Sequence, residues 1–121
     1  MSLFSKIDTV ILRVADIVVA KKWYTEVLEL TPSYESNGEH SIVILPIGNS
    51  SSITLYEWQQ GDQQYPASSS YPIFFAENIE DVHTKLSARG VEVSELQKDG
   101  TTMFFTFFDL DGNKLEVCHW S

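Results

Sequence analysis

Residues 7–14, I-D-T-V-I-L-R-V, are rich in β-branched side chains and predict a strand. Asp16 then stands as a helix N-cap, and Ile17, Ala20, Trp23, Tyr24, Val27 and Leu28 recur at helical spacing. A short strand is expected near residues 32–36. Two apolar runs, 41–47 and 52–58, follow, split by Gly48-Asn49-Ser50-Ser51 in the manner of a hairpin. Residues 59–70, Q-Q-G-D-Q-Q-Y-P-A-S-S-S, are polar, rich in turn formers and without periodicity, and predict a linker.

The same order then returns. A strand is expected at 71–76, an N-cap at Asn78, a helix with Ile79, Val82 and Leu86 on one stripe, and Gly90 as its C-terminal cap. Strands at 91–96, 101–108 and 114–120 complete the series, the last two flanking the turn formers Asp109-Leu110-Asp111-Gly112-Asn113. A single offset of 62 residues carries Asp16 onto Asn78, Ile17 onto Ile79 and Trp58 onto Trp120. The predicted fold is α+β: one domain over 1–121, built from two βαβββ modules at about 5–58 and 71–121. Each module is a curved mixed sheet around one helix, and a linker at about 59–70 joins them.

Strand alternation sorts side chains by face. Thr9, Ile11 and Arg13 of the first strand share a face, and so do Thr54, Tyr56 and Trp58 of the fourth. The offset maps them onto Tyr71, Ile73 and Phe75, and onto Glu116, Cys118 and Trp120. The helix covers the other face of each sheet, so these residues line a cleft or meet the other module. Glu116 is a carboxylate among mostly uncharged neighbours, while Leu115, Val117 and His119 point the opposite way.

Charge and composition narrow the partners. Seventeen acidic against eight basic residues give a net charge of −9, a field that repels phosphate backbones and argues against nucleic acid. No long uncharged apolar run is present and the first residues lack a signal-peptide pattern, so a cytoplasmic chain without a membrane partner is expected. One cysteine, Cys118, with three histidines excludes an internal disulfide and a zinc-type cysteine cluster. Asp109-x-Asp111-Gly112-Asn113 is not a calcium loop, because its glycine arrives too early and Trp120 stands where the bidentate glutamate would be.

The ending F-x-D-x-D-G-N-x-x-E-V, the opening strand running into R-V-A-D-I and W-Y-T-E-V-L-E-L, and the doubled module together resemble the vicinal oxygen chelate superfamily. This superfamily includes glyoxalase I, bleomycin-resistance proteins and extradiol dioxygenases. The resemblance spans nearly the whole chain and implies a homodimer. It also implies that metal-dependent relatives would place their ligands at Thr9, Thr54, Tyr71 and Glu116, of which only Glu116 is a ligand of the expected kind. Hydroxyls keep their protons at neutral pH and ligate weakly, so no cofactor is expected, and a divalent metal would need non-standard ligands. Glu57 and His119 lie one position off the cleft face. Relatives commonly carry glycine where Glu29 ends the first helix, so a left-handed cap there would be strained.

The cleft residues Arg13, Tyr56, Trp58, Tyr71, Phe75, Cys118 and Trp120 suit a planar or cationic small molecule through stacking and cation–π attraction. Glu116 is the candidate anchor for a ligand cation, general base, or partner for Arg13, and Arg13 can instead orient an acidic group. Three classes stay open: a metal-free binding protein, a metal-free enzyme using Glu116 as base, and a metal-dependent lyase, isomerase or dioxygenase. Cys118 reads as a buried thiol, and His83 as a residue at the boundary of its helix's apolar stripe.

Overall fold

The computed structural model describes residues 2–62 and 69–121, so residues 63–68 of the expected linker lie outside the described residues. The chain divides into two compact units, 1–64 and 65–121. In the first unit the order is β1 (Thr9–Val14), α1 (Ile17–Val27), β2 (Tyr34–Asn37), β3 (Ser41–Ile47) and β4 (Ser51–Glu57). In the second it is β5 (Ile73–Phe75), α2 (Ile79–Ala88), β6 (Gln97–Asp99), β7 (Thr102–Phe108) and β8 (Lys114–Trp120). Each unit is a four-stranded mixed sheet with one helix, ordered β1-β4-β3-β2 and β5-β8-β7-β6. The first and last strands of each unit run parallel, and the remaining pairs are antiparallel. These are the two expected βαβββ modules.

The 62-residue repeat is carried by strand register. Ile11 faces Thr54 and Arg13 faces Tyr56, while Ile73 faces Glu116 and Phe75 faces Cys118. On the other side of the central strands, Ile44 faces Thr54 and Thr106 faces Glu116, again 62 apart. The outermost strands break the repeat. Ser36 pairs with Ile42, but Phe104 pairs with Gln97, one residue short of the position the offset gives. The strand expected at 91–96 is accordingly displaced: the ladder lies at Gln97–Asp99, and only Val93 bridges Phe107 upstream of it. The apolar residues that suggested a strand there have another role, since Val91 is buried as part of the α2 cap. The strand expected at 71–76 is shorter for a similar reason, with Pro72 lacking an N–H and contributing only its carbonyl, which accepts from the Glu116 amide at 3.1 Å.

Both helices start as their caps dictate. The Asp16 carboxylate accepts from the amides of Val18 and Val19, and Asn78 Oδ1 accepts from the Asp81 amide. Glu57 at the end of β4 adds a second acceptor for α1, taking the Ile17 amide at 2.8 Å. The two helices end differently. After α2, Gly90 at φ 83° lets the Val91 amide reach the Leu86 carbonyl and the Gly90 amide reach that of Ser87, with Leu86 and Val91 both buried. After α1 the equivalent left-handed position is Glu29, at φ 59°.

Helix and sheet bury one face each. Ile17, Ala20 and Tyr24 of α1 are buried, as are Leu12, Val14, Val43, Leu45, Ile53 and Leu55 of its sheet. In the second unit Ile79 and Leu86 are buried together with Phe105, Phe107, Leu115 and Val117. The D-L-D-G-N turn is built around the buried Asp109, whose carboxylate accepts from the amides of Asp111 and Asn113 and from the Asn113 side chain. Among the described residues no helix is long and apolar enough to cross a membrane.

The left-handed Glu29 is a correctable strain. Glu29→Gly is expected to raise stability by about 1 kcal/mol, read as an upward shift of the thermal midpoint, because a β-carbon is disfavoured at that φ by about this amount.

Candidate functional site

The sheet face opposite the helix carries the candidate residues in each unit. In the first unit they form two groups. At the C-terminal end of the strands, the Arg13 guanidinium lies 4.3 Å from the Tyr56 ring centroid and 4.7 Å from that of Trp58. Two such contacts are worth about 0.5–2 kcal/mol each, depending on desolvation. Arg13 also donates to Asp62 Oδ2 at 3.0 Å, the same oxygen that takes the Gln59 amide at 2.8 Å. The pair is part-exposed and screened by solvent, so its effect is to fix the guanidinium's position more than to stabilise the fold. His40 packs against Tyr56 with centroids 5.5 Å apart.

Asp62 and its turn lie in a segment that reads as linker in the sequence. The signal that could have found them is the G-D pair closing a short turn, since the Asp62 amide donates back to the Gln59 carbonyl at 3.0 Å. The sequence offers Glu116 as a partner for Arg13, and the structure places Asp62 on it instead. The Gln59 amide does most to hold the Asp62 carboxyl below its ordinary value; burial opposes it, and the Arg13 hydrogen bond and charge reinforce it.

Midway along the same face, the Thr9 and Thr54 hydroxyls lie 2.7 Å apart. Thr9 also donates to the Ser52 carbonyl at 3.1 Å. Thr9 has one proton, so Thr54 is the donor of the short bond, and the protons run Thr54 to Thr9 to Ser52. These are the two positions at which metal-dependent relatives carry ligands. A pair of protonated hydroxyls bonded to each other does not fit a divalent ion, which favours carboxylate, imidazole or thiolate donors. The alternatives one position off the candidate face in each unit are engaged: Glu57 caps α1, and His119 donates from Nδ1 to the Ala76 carbonyl at 2.7 Å. Among the described residues no group of three or more His, Cys, Asp or Glu side chains is placed to hold a metal.

In the second unit, Glu116, Cys118 and Trp120 share a face of β8, with Phe75 of the neighbouring β5 beside them. Phe75 and Trp120 meet edge to face at 5.1 Å, leaving 44% and 59% of their surfaces exposed. His119 also packs on Phe75, with ring centroids 5.2 Å apart and planes tilted by 35°. Tyr71 carries the Lys114 ammonium 4.1 Å over its ring, a contact latent in the alternation of Lys114 and Glu116 along β8. Burial, and after it the charge of Glu116, pushes the Cys118 thiol up, which makes it a poor nucleophile at neutral pH. His83 is structural, bonded through Nε2 to the Ser94 carbonyl at 2.8 Å and edge-on to Phe105.

The profile of the Glyoxalase/Bleomycin resistance protein/Dioxygenase superfamily matches residues 6–117. The chain belongs to that superfamily. Among curated proteins none matches it significantly. Solved structures share the superfamily fold. An antibiotic binding protein from Streptomyces sp. CB03234, TnmS3, is 22% identical at a TM-score of 0.83, with all of both chains covered. A glyoxylase/bleomycin resistance protein/dioxygenase domain from Frankia sp. EAN1pec is 24% identical at a TM-score of 0.81, covering 98% of this chain and 99% of that one. A glyoxalase family protein from Enterococcus faecalis is 25% identical at a TM-score of 0.77, covering 97% and 99%.

Two titrations check the local electrostatics. A folded-state value lowered for Asp62 contributes stability above the ordinary 3.8 that is lost as pH falls through the lowered value. Carboxyl-carbon NMR should give an Asp62 midpoint below 3.8, and Arg13→Met should raise it without restoring it, because the Gln59 amide remains. For Cys118, alkylation by iodoacetamide at pH 8 should be slower than for an unstructured cysteine, and Glu116→Gln should accelerate it; mass spectrometry reads both rates.

Proposed function

We propose that this superfamily member is a metal-free small-molecule binder that works as a homodimer and takes a small aromatic or cationic compound against its aromatic face. The observation that carries this reading is the exposed Phe75–Trp120 corner on the same face as Glu116. An edge-to-face pair offers a flat ring one stacking wall and one edge, at little conformational cost, and a carboxylate beside it suits a positive substituent. In the first unit Arg13 already covers Tyr56 and Trp58, so the face of that unit favours a neutral or electron-rich ring over a second cation. The printed description of TnmS3 as an antibiotic binding protein agrees with a binding role on this fold.

The homodimer is supported by the edge strands. Ile11 within β1 and Ile73 at the start of β5 are 54% and 53% exposed, apolar positions that a second copy would cover. A metal-dependent lyase, isomerase or dioxygenase would have to work around the Thr9–Thr54 hydroxyl pair. A metal-free enzyme with Glu116 as base shares the same face and is separated from a binder by turnover after chelation.

The test combines three readings on one preparation. After incubation with nickel, zinc, manganese or iron(II) and dialysis, metal should stay well below one per chain, and sedimentation should give a dimer. Calorimetric titration with planar aromatic cations and their neutral isosteres should saturate. Glu116→Gln should weaken the cations about tenfold, or about 1.4 kcal/mol, and leave the neutral compounds unchanged. Stoichiometric metal, or affinities indifferent to both Glu116→Gln and Trp120→Ala, would overturn the proposal.

A further inference from the structure

The chain has four asparagines, Asn37, Asn49, Asn78 and Asn113, and only Asn37 is followed by glycine. An asparagine is open to attack at its carboxamide carbon by the backbone nitrogen of the next residue, and a glycine there has no side chain to obstruct the approach. The reaction also needs the carboxamide and that nitrogen to be unengaged. The other three asparagines fail these conditions. Asn113 donates from Nδ2 to Asp109 Oδ2 at 2.9 Å, Asn78 is held by its cap and precedes the β-branched Ile79, and Asn49 precedes Ser50. The Asp-Gly pairs at 99–100 and 111–112 carry carboxylates, poorer electrophiles than a carboxamide, and the Gly112 amide is engaged by the Asp109 carbonyl at 3.1 Å.

Asn37 meets every condition. It is the last residue of β2, paired with Ser41 across the loop 38–40, and both it and Gly38 are exposed. Among the described residues its carboxamide has no hydrogen-bond partner, and the Gly38 amide reaches one acceptor, Ser36 Oγ at 3.5 Å, the outer limit of such a bond. The loop that follows is tied to the Arg13 stack. Gln59 Nε2 donates to the Glu39 carbonyl at 2.5 Å, and His40 packs on the Tyr56 ring.

We propose that Asn37–Gly38 is a self-modification site, at which asparagine becomes isoaspartate and the loop that braces the Arg13 stack is loosened. The Gly38 nitrogen gives its proton to hydroxide and forms a bond to Asn37 Cγ; the Cγ–Nδ2 bond breaks, and Nδ2 leaves as ammonia with a proton from water. Water then opens the succinimide ring. Cleavage at Cγ gives aspartate, and cleavage at the main-chain carbonyl carbon gives isoaspartate, whose main chain runs through Cβ and Cγ and is one methylene longer. No atom is oxidised or reduced, and water is the co-reactant. Either product adds a negative charge between Glu35 and Glu39 in a chain already at −9. The isoaspartate also cannot keep its place opposite Ser41 while Ser36 stays opposite Ile42.

The test incubates the full chain at pH 8 beside an isolated peptide of residues 34–41, with electron-transfer mass spectrometry locating each product and separating aspartate from isoaspartate. Conversion at Asn37 should be about tenfold faster than at Asn49, Asn78 or Asn113, and should stay within about tenfold of the rate in the peptide. Gly38→Ala should slow it about tenfold and leave the fold intact, since a β-carbon there meets nothing nearer than Ser36 Oγ at 3.8 Å and Gly38 is not left-handed. The isoaspartate form, separated by chromatography, should exchange its amides faster at 38–41 and 59–62. Asn37→Asp, which adds the charge without the methylene, should not. Another asparagine converting first, a folded chain slower than the peptide by more than about tenfold, or a rate indifferent to Gly38→Ala would overturn the site. Unchanged exchange in the isoaspartate form would overturn the loosening.

Discussion

Everything on the candidate face follows from the parallel pairing of the first strand of each unit with its last. That pairing sets Ile11 opposite Thr54 and Ile73 opposite Glu116, and because side chains alternate, it decides at once which residues enter the core. A slip of one residue would exchange Leu55 for Thr54 and Val117 for Glu116, burying a carboxylate against the helix at a cost of several kcal/mol. The apolar face of each helix therefore holds the chemistry of the opposite face in register. Ile17, Ala20 and Tyr24 do this in one unit, and Ile79 and Leu86 in the other.

The repeat and the candidate face were legible for this reason. Periodicity, two N-caps and one arithmetic offset suffice to recover a register when core burial allows only one, and the pairings at Thr54 and Glu116 reproduce the offset of 62. What the pattern could not show lies where burial does not choose. β6 has three residues, all exposed, and its register differs by one from the repeat because no buried side chain holds it to the position expected. Asp62 was hidden for a related reason: its role comes from a hydrogen bond and a charge, and a polar run has no period to read.

Arg13 illustrates how a neighbour redefines a residue. Read from alternation alone, it faces the cleft beside two aromatic rings, as a partner for Glu116 or for an acidic ligand group. Fixed by Asp62 and packed against Tyr56 and Trp58, it becomes part of the wall, and its charge modifies the rings it covers. In the second unit Phe75 and Trp120 meet edge to face and keep 44% and 59% of their surfaces exposed. Two units that share a fold and an offset thus present unlike surfaces, one cationic and hydroxyl-lined, the other aromatic and acidic.

The outer edges of the two sheets carry a separate consequence. β2 and β6 each leave one row of backbone groups without a strand partner in their sheet, the geometry through which β-rich chains add to one another. Both are short and polar: Y-E-S-N, with Glu35 tied to Lys21 at 2.8 Å, and Q-K-D, exposed throughout. A strand approaching either edge must desolvate charge before it gains a ladder. Nine net negative charges per chain add an electrostatic cost to such an approach, so the polarity of these two short strands and the charge of the whole chain oppose edge addition together.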